Sequence, residues 1–216
     1  MRIRILKLLI IFPVLLTVLL LQGTSGQCQD KGPVFYIEVD GIINPATAKF
    51  ITDSIDQASQ QGGQCLIIEL DTPGGLMDSM RNIVKKILGS NIPIIVYVAP
   101  RGARAASAGV FITLASHVAV MAPGTNIGAA HPVTLGAEAK ESKTMEEKIV
   151  NDTVSYIKTI AKNRGKNVDW AEKAVRKSVS ITEDEALKLN VIDLLCTDLN
   201  DLLSKVDGRE SSNSTG

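Results

Sequence analysis

Two short runs about thirty residues apart carry the residue types that suit acyl-transfer chemistry: Asp71-Thr72-Pro73-Gly74-Gly75 and Ala105-Ala106-Ser107-Ala108-Gly109. Each follows an apolar run with the composition of a strand, and each leads into a helix-like segment. Adjacent glycines turn their backbone N–H groups toward a ligand with no Cβ in the way, and a helix N-terminus adds unpaired donors. Gly74 and Gly75 therefore suit an oxyanion hole. Ser107, between alanines at a helix start, suits a nucleophile. A plainer reading makes Pro73-Gly74-Gly75 a tight turn and Ser107 an N-cap serine. Either motif alone fits both readings; the pairing favours chemistry.

The elements that must position these residues alternate along the chain. Residues 34–39, 65–70, 94–99 and 118–122 read as strands. Residues 45–60, 76–88 and 105–116 read as helices, the first capped by Asn44 with Pro45 in its first turn and the second stopped by Gly89. This alternation specifies an α/β fold with a mostly parallel sheet, covering helices and right-handed crossovers. Both motifs then lie at carboxyl ends of strands, where such folds bind ligands. Residues 132–143 lack periodicity and read as a loop. Thr144 followed by Glu147 has the pattern of a capping box, so a helix is expected from there to about Asn163, ended by Gly165. A helix near 170–177 and another opening at Thr182-Glu183-Asp184-Glu185 lead to an apolar run at 191–195.

The chain has 216 residues, 45% hydrophobic and 21% charged, enough for one sizeable globular domain with appendages. Residues 1–26 hold Arg2, Arg4 and Lys7, no acidic group, and an apolar run over 8–21 broken only by Pro13 and Thr17. That is the length of a signal h-region and short for a membrane span. Thr24 and Gly26 fit a cut before Gln27; a retained anchor is the rival, and bulky Gln27 argues against lipid attachment at Cys28. Beyond residue 26 acidic groups outnumber basic ones by three. With no basic stripe and 4% aromatic residues, no nucleic-acid partner is expected. Cys28, Cys65 and Cys196 lack metal-ligand spacing; no metal or cofactor is expected, and Cys65 and Cys196 read as core. Residues 207–216 are polar and glycine-bearing, and a disordered tail is expected there.

The stretch Glu69-Leu70-Asp71-Thr72-Pro73-Gly74-Gly75, the run Gly102-Ala103-Arg104-Ala105-Ala106-Ser107-Ala108-Gly109 and the segment Met121-Ala122-Pro123-Gly124-Thr125-Asn126-Ile127-Gly128-Ala129 together resemble the NfeD family. These are membrane-associated serine peptidases with a ClpP/crotonase-like fold, related to signal peptide peptidase A. The resemblance runs from about Val34 through Asp207-Gly208-Arg209. It implies a peptidase domain over 33–206 and a Ser–Lys dyad acting on apolar, membrane-proximal peptide segments, with a stomatin-like membrane protein as partner. It further implies a homodimer or higher oligomer working on the extracytoplasmic face of the membrane. Ser107 matches the nucleophile and Gly74 and Gly75 the oxyanion turn, with the Ala108 N–H as a further donor. Lys148 matches the catalytic lysine. Longer members continue past the Asp-Gly-Arg segment into membrane helices and a small barrel domain, so a truncated product, or one whose membrane part is another chain, is expected.

The lysine needs weighing on its own chemistry. To deprotonate a serine near neutral pH it must be substantially neutral, which asks for a downward shift of ~3 pKa units, about 4 kcal/mol. A helical wheel puts Met145, Ile149, Thr153, Tyr156 and Ile160 on an apolar face. Lys148 falls on the polar one, with Asn151, Asp152, Ser155 and Lys158. The wheel alone makes Lys148 solvated; the resemblance makes it the base, provided this first helical turn lies over the strand ends, where a second subunit helps to dehydrate it. Lys140 and Lys143 in the loop are competitors. His131 is the alternative base, because Ala129-Ala130-His131-Pro132 resembles the neighbourhood of the Clp histidine. The acid a triad needs is missing: the matching position is near Ser178, between Lys177 and Val179. His117, at a strand start, reads as structural. The alternative function is a non-catalytic membrane-associated scaffold that binds extended peptides in the same groove by strand addition. A crotonase-type acyl-CoA enzyme would leave Ser107 without a role.

Overall fold

Strands β2 (Cys65–Asp71) and β3 (Ile94–Val98) are apolar on both faces and almost wholly buried, as central strands of a parallel sheet must be. In this computed structural model, which describes residues 32–133 and 143–208, they lie inside a five-stranded parallel sheet. The other strands are β1 (Val34–Asp40), β5 (Val118–Met121) and β8 (Leu194–Leu195), in the order β1-β2-β3-β5-β8. Helices α1 (Pro45–Gln60), α2 (Met77–Leu88) and α3 (Ala108–Ala115) cross between strands over one face. Their buried stripes pack with Leu66, Ile68, Leu70, Val96 and Val98 in the main core. The opposite face, with Ile67, Ile95, Tyr97 and Val120, is covered by α7 (Leu199–Val206) through Leu199, Leu202 and Leu203. Cys65 and Cys196 are buried in that second cluster.

Local chemistry fixes most boundaries. Asn44 caps α1, its side chain accepting the Thr47 N–H at 2.9 Å, and Gly89 stands at the C-cap of α2. Helix α4 (Lys143–Asn163) ends before Gly165, and α5 (Val168–Arg176) is capped by Asn167. Thr182 and Glu185 form the capping box of α6 (Glu183–Lys188). Helix α4 is already formed at Lys143, so Thr144 lies inside its first turn and the capping position falls outside the described residues, as does Lys140. Residues 1–31 and 209–216, where the signal or anchor and the tail are expected, are also outside them. No described helix is long and apolar enough to cross a membrane.

The structure corrects the expected helix over 105–116. Arg104–Ala106 is a strand, β4, in a second small sheet with β6 (Asn126–Gly128), parallel, and then β7 (Ser180–Thr182), antiparallel to β6. Alanines favour helix locally, but the backbone of Thr72 offers a better arrangement. Its N–H donates to Arg104 O at 2.8 Å and its carbonyl accepts from Ala106 N–H at 3.0 Å. Helix α7 has no counterpart in the sequence reading.

Candidate active site

The small sheet brings the two glycine-bearing motifs together. Thr72 bridges to Ala105, Asp71 Oδ1 accepts the Arg104 N–H at 3.0 Å, and Ser107 N–H donates to Gly128 O at 3.2 Å. Ser107 is thus held at the corner between β4 and α3, with φ 51° and ψ −111°. A serine in that region is strained and persists only where its surroundings impose it. Ala129 and Ser178 also have positive φ, and Ala129 N–H donates to Val179 O at 2.8 Å beside the Ser107–Gly128 bond. Three of the four described non-glycine residues with positive φ therefore gather at this corner, the pattern expected of a functional site.

The Ser107 hydroxyl does not cap α3 and has no hydrogen-bond partner among the described residues. That removes the N-cap reading. The side chain, half-buried, faces Gly74: a Cβ placed on Gly74 would come within 2.5 Å of Ser107 Cβ and 3.0 Å of its Oγ. Gly74 also has φ +116°, which side chains rarely adopt. Its N–H donates to Thr72 Oγ1 at 3.0 Å, so Gly74 serves as the spacer beside the serine while its donor is spent within the turn. Gly75 is exposed, and its N–H has no described partner. The other side of Gly75 presses on Ile43, whose carbonyl oxygen would stand 2.0 Å from an added Cβ. The Ala108 N–H, first in α3, is also unpaired among the described residues although Ala108 is only 4% exposed. A buried donor left unpaired is costly unless an acceptor comes to it, and the charge-bearing oxygen of an acyl-transfer intermediate is such an acceptor.

The two bases take different positions. His131 Nδ1 lies 2.9 Å from Val175 O, which fixes the proton on Nδ1 and directs the ring toward the end of α5. Among the described residues no carboxylate occupies that place, and His131 shares no hydrogen bond with Ser107. Lys148 lies in the first two turns of α4, where residues 143–148 are all exposed. The helix seats on the core only farther on, through Thr153, Val154, Ile157, Ile160 and Ala161, with Val150 partly buried. This turns the apolar face away from the expected one: Met145 is 49% exposed, while Val154 and Ile157 lie inside. The polar placement of Lys148 stands. His117 is tied into the sheet, its Nδ1 accepting the Ile94 N–H at 3.1 Å, as a structural role requires.

Sequence reasoning missed Asp71 and Thr72 as the residues that fasten the two motifs. The available signal was the pair of side-chain acceptors directly before Pro73-Gly74-Gly75, since Asx and Ser/Thr side chains in such places bond nearby backbone N–H groups.

Comparison with known proteins adds the family. PH1510 of Pyrococcus horikoshii, a membrane-bound protease, is 40% identical over 198 residues, 92% of this chain and 45% of that protein. The membrane protein NfeD1b of Bacillus subtilis is 33% identical over 114 residues, 53% of this chain and 25% of that one. The chain thus spans less than half the length of the curated relatives it matches. Two solved structures of 1510-N, described as a membrane-bound stomatin-specific protease, also match. A serine-to-alanine variant is 42% identical, covering 84% of this chain and 87% of that one, with a TM-score of 0.76. A lysine-to-alanine variant in complex with a substrate peptide is 40% identical, covering 83% and 86%, with a TM-score of 0.75. The mostly parallel sheet and its covering helices are the ClpP-like α/β fold of those proteases. The family model described as the NfeD1b N-terminal domain matches residues 33–211, nearly all that the two glycine-bearing motifs and their framework occupy, and the chain belongs to that family.

Proposed function

We propose that this chain carries a serine endopeptidase domain over 33–206 in which Ser107 is the nucleophile, Lys148 the base, and the Gly75 and Ala108 N–H groups the oxyanion hole, beside the spacer Gly74. The observation that carries the reading is the strained Ser107 corner with an uncommitted hydroxyl and two backbone donors without partners. In the reaction, a neutral Lys148 amine accepts the Ser107 proton as Oγ attacks the peptide carbonyl. The developing oxyanion takes hydrogen bonds from Gly75 and Ala108, and the lysine returns the proton to the leaving amine. The serine and lysine replaced in the two 1510-N structures are the same number of residues apart as Ser107 and Lys148, which supports this pairing. His131, bonded to a carbonyl with no acid behind it among the described residues, is the weaker base.

The relatives and the rim of the site support a reading of the substrate class. Exposed Ile42 and Leu76 flank the Ile43–Gly75 bridge, which suits an apolar peptide laid beside the turn. A membrane-proximal segment of a stomatin-like protein is the proposed substrate. The domain is proposed to work as a homodimer or higher oligomer at the extracytoplasmic face of the membrane, the exposed first turns of α4 being completed by a further surface. The test is labelling with an activated fluorophosphonate. Modification of Ser107, absent from Ser107→Ala, is expected; a folded protein that does not label points to the peptide-binding scaffold instead.

A further inference from the structure

Lys148 sits on turns of α4 that lie outside the core, so its surroundings depend on whatever holds the helix one turn farther on. Four side chains help to do this. Arg81 of α2 places Nη2 2.5 Å from Asp152 Oδ2, and its guanidinium carbon lies 4.4 Å from the ring centre of Tyr156. Tyr156 stacks on Phe111 of α3, ring centres 6.1 Å apart at 22°. Helix α2 begins two residues after Gly75 and α3 one residue after Ser107. The clamp therefore ties the lysine-bearing helix to both helices that spring from the catalytic turns.

The charge is as informative as the tie. Asp152 is four residues after Lys148, a spacing at which helical side chains meet and opposite charges pair. The same chain shows the result elsewhere: Lys49 Nζ lies 2.8 Å from Asp53 Oδ2 on α1, and that hydrogen bond and charge raise the Lys49 amine above its ordinary range. Lys148 and Asp152 repeat the Lys-then-Asp spacing, yet Asp152 is turned to Arg81 and Lys148 has no ion pair among the described residues. The other described charges around α4 do not replace it. Glu146 and Glu147 lie on the flank toward α5, lining a depression with Lys143 and Arg176. Glu172 of α5 is engaged by Lys158 and Arg176. Asp78 and Lys85 lie about one turn to either side of Arg81 on α2.

Building on the Ser–Lys reading, we infer that Arg81 is a positioning residue that withholds Asp152 from Lys148, leaving the amine free of the one carboxylate its own helix would otherwise pair with it. Without Arg81, Asp152 swings to Lys148 and favours the ammonium. The alkaline-rising limb of activity then moves up in pH and activity below it falls.

The experiment measures pH–rate profiles of the full chain on an apolar peptide for Arg81→Gln, Asp152→Asn, the double variant and Arg81→Lys, with thermal melting of each. For Arg81→Gln the limb is expected to move up by at least about 0.3 pH unit, roughly a twofold loss at fixed pH below it. The shift should shrink in about 0.5 M salt, as an exposed pair requires. Asp152→Asn on top of Arg81→Gln should return the limb to its parent position, and Arg81→Lys should keep it there. If Arg81→Gln loses activity with an unmoved limb, or the double variant is no better than the single, Arg81 is a structural clamp only and the inference is overturned. Lys148→Ala separates this from the parent reading: full activity there sinks the Ser–Lys assignment itself, whereas a dead Lys148→Ala with an unmoved Arg81→Gln limb sinks only the role of Arg81.

Discussion

The Ser107 corner and the first two turns of α4 are the two halves of one proposed dyad, and they are held in opposite ways. At the corner, backbone bonds from Thr72 and Gly128, the Asp71 carboxylate and the bulk of Gly74 and Ile43 converge, and nearly every neighbour is buried. Along α4, residues 143–148 are exposed, and the nearest described ion pair that fastens the helix is that of Arg81 with Asp152, beside Tyr156. The nucleophile and its donors must be fixed to a fraction of an ångström, which a hydrogen-bonded backbone achieves. A base needs a tuned charge environment, which side chains and a covering surface supply. Function and stability should consequently be coupled where a substitution disturbs the backbone of the corner, and separable on the helix.

Loss of the proposed nucleophile is the largest break. Ser107→Ala should abolish peptide cleavage while melting within a few degrees of the parent, since the hydroxyl has no partner to lose and the backbone strain remains. Equal cleavage by variant and parent would show that the corner is not catalytic.

Lys148→Ala should be nearly as inactive yet keep the parent melting temperature, because an exposed side chain away from caps and core changes stability by no more than about 0.5 kcal/mol. His131→Ala should retain most activity and a pH–rate limb unlike that of an ordinary imidazole near ~6.5. The reverse outcome, dead His131→Ala and active Lys148→Ala, makes the site a Clp-type Ser–His centre.

At Gly75 the coupling should be visible. A methyl there meets Ile43 O, so Gly75→Ala must shift the turn that aims its N–H. Losing one such donor costs about a hundredfold in turnover, ~3 kcal/mol, and here the melting temperature should drop as well. Unchanged turnover in a folded variant would move the oxyanion hole elsewhere.

The smallest effect is expected for Lys143→Ala, which should stay within about twofold of parent activity and within about 0.5 kcal/mol of its stability. A large loss there would make Lys143 the competing base and unseat Lys148.

Much of the frame was legible beforehand. Continuous apolar runs marked β2 and β3, Asn44 and Thr182 marked helix starts, and Gly89 and Gly165 marked helix ends, because each is decided by neighbours within a few residues. The strand at Arg104–Ala106 was not legible, since its partners are the backbones of Thr72 and Asn126–Gly128, which composition cannot report. The seating of α4 was read half correctly. The wheel put Thr153 and Ile160 inside and Lys148 outside, but Val154 and Ile157, not Met145 and Ile149, meet the core. The face of a helix is settled by the surface it docks on.

The sequence alone determined the parallel α/β frame, the serine and glycine motifs at its strand ends and the family to which they belong, since all follow from local residue types in order along the chain. Tertiary structure decided which donors stay free. Gly74 and Gly75 are identical in type and adjacent, yet the Gly74 N–H is taken by the Thr72 hydroxyl and that of Gly75 is left open. It also decided that Asp152 pairs with Arg81, 71 residues away in the chain, although Lys148 lies one helical turn away. Hydrogen bonds and ion pairs are satisfied by what is near in space, and that proximity exists only once the sheet has brought the distant segments together.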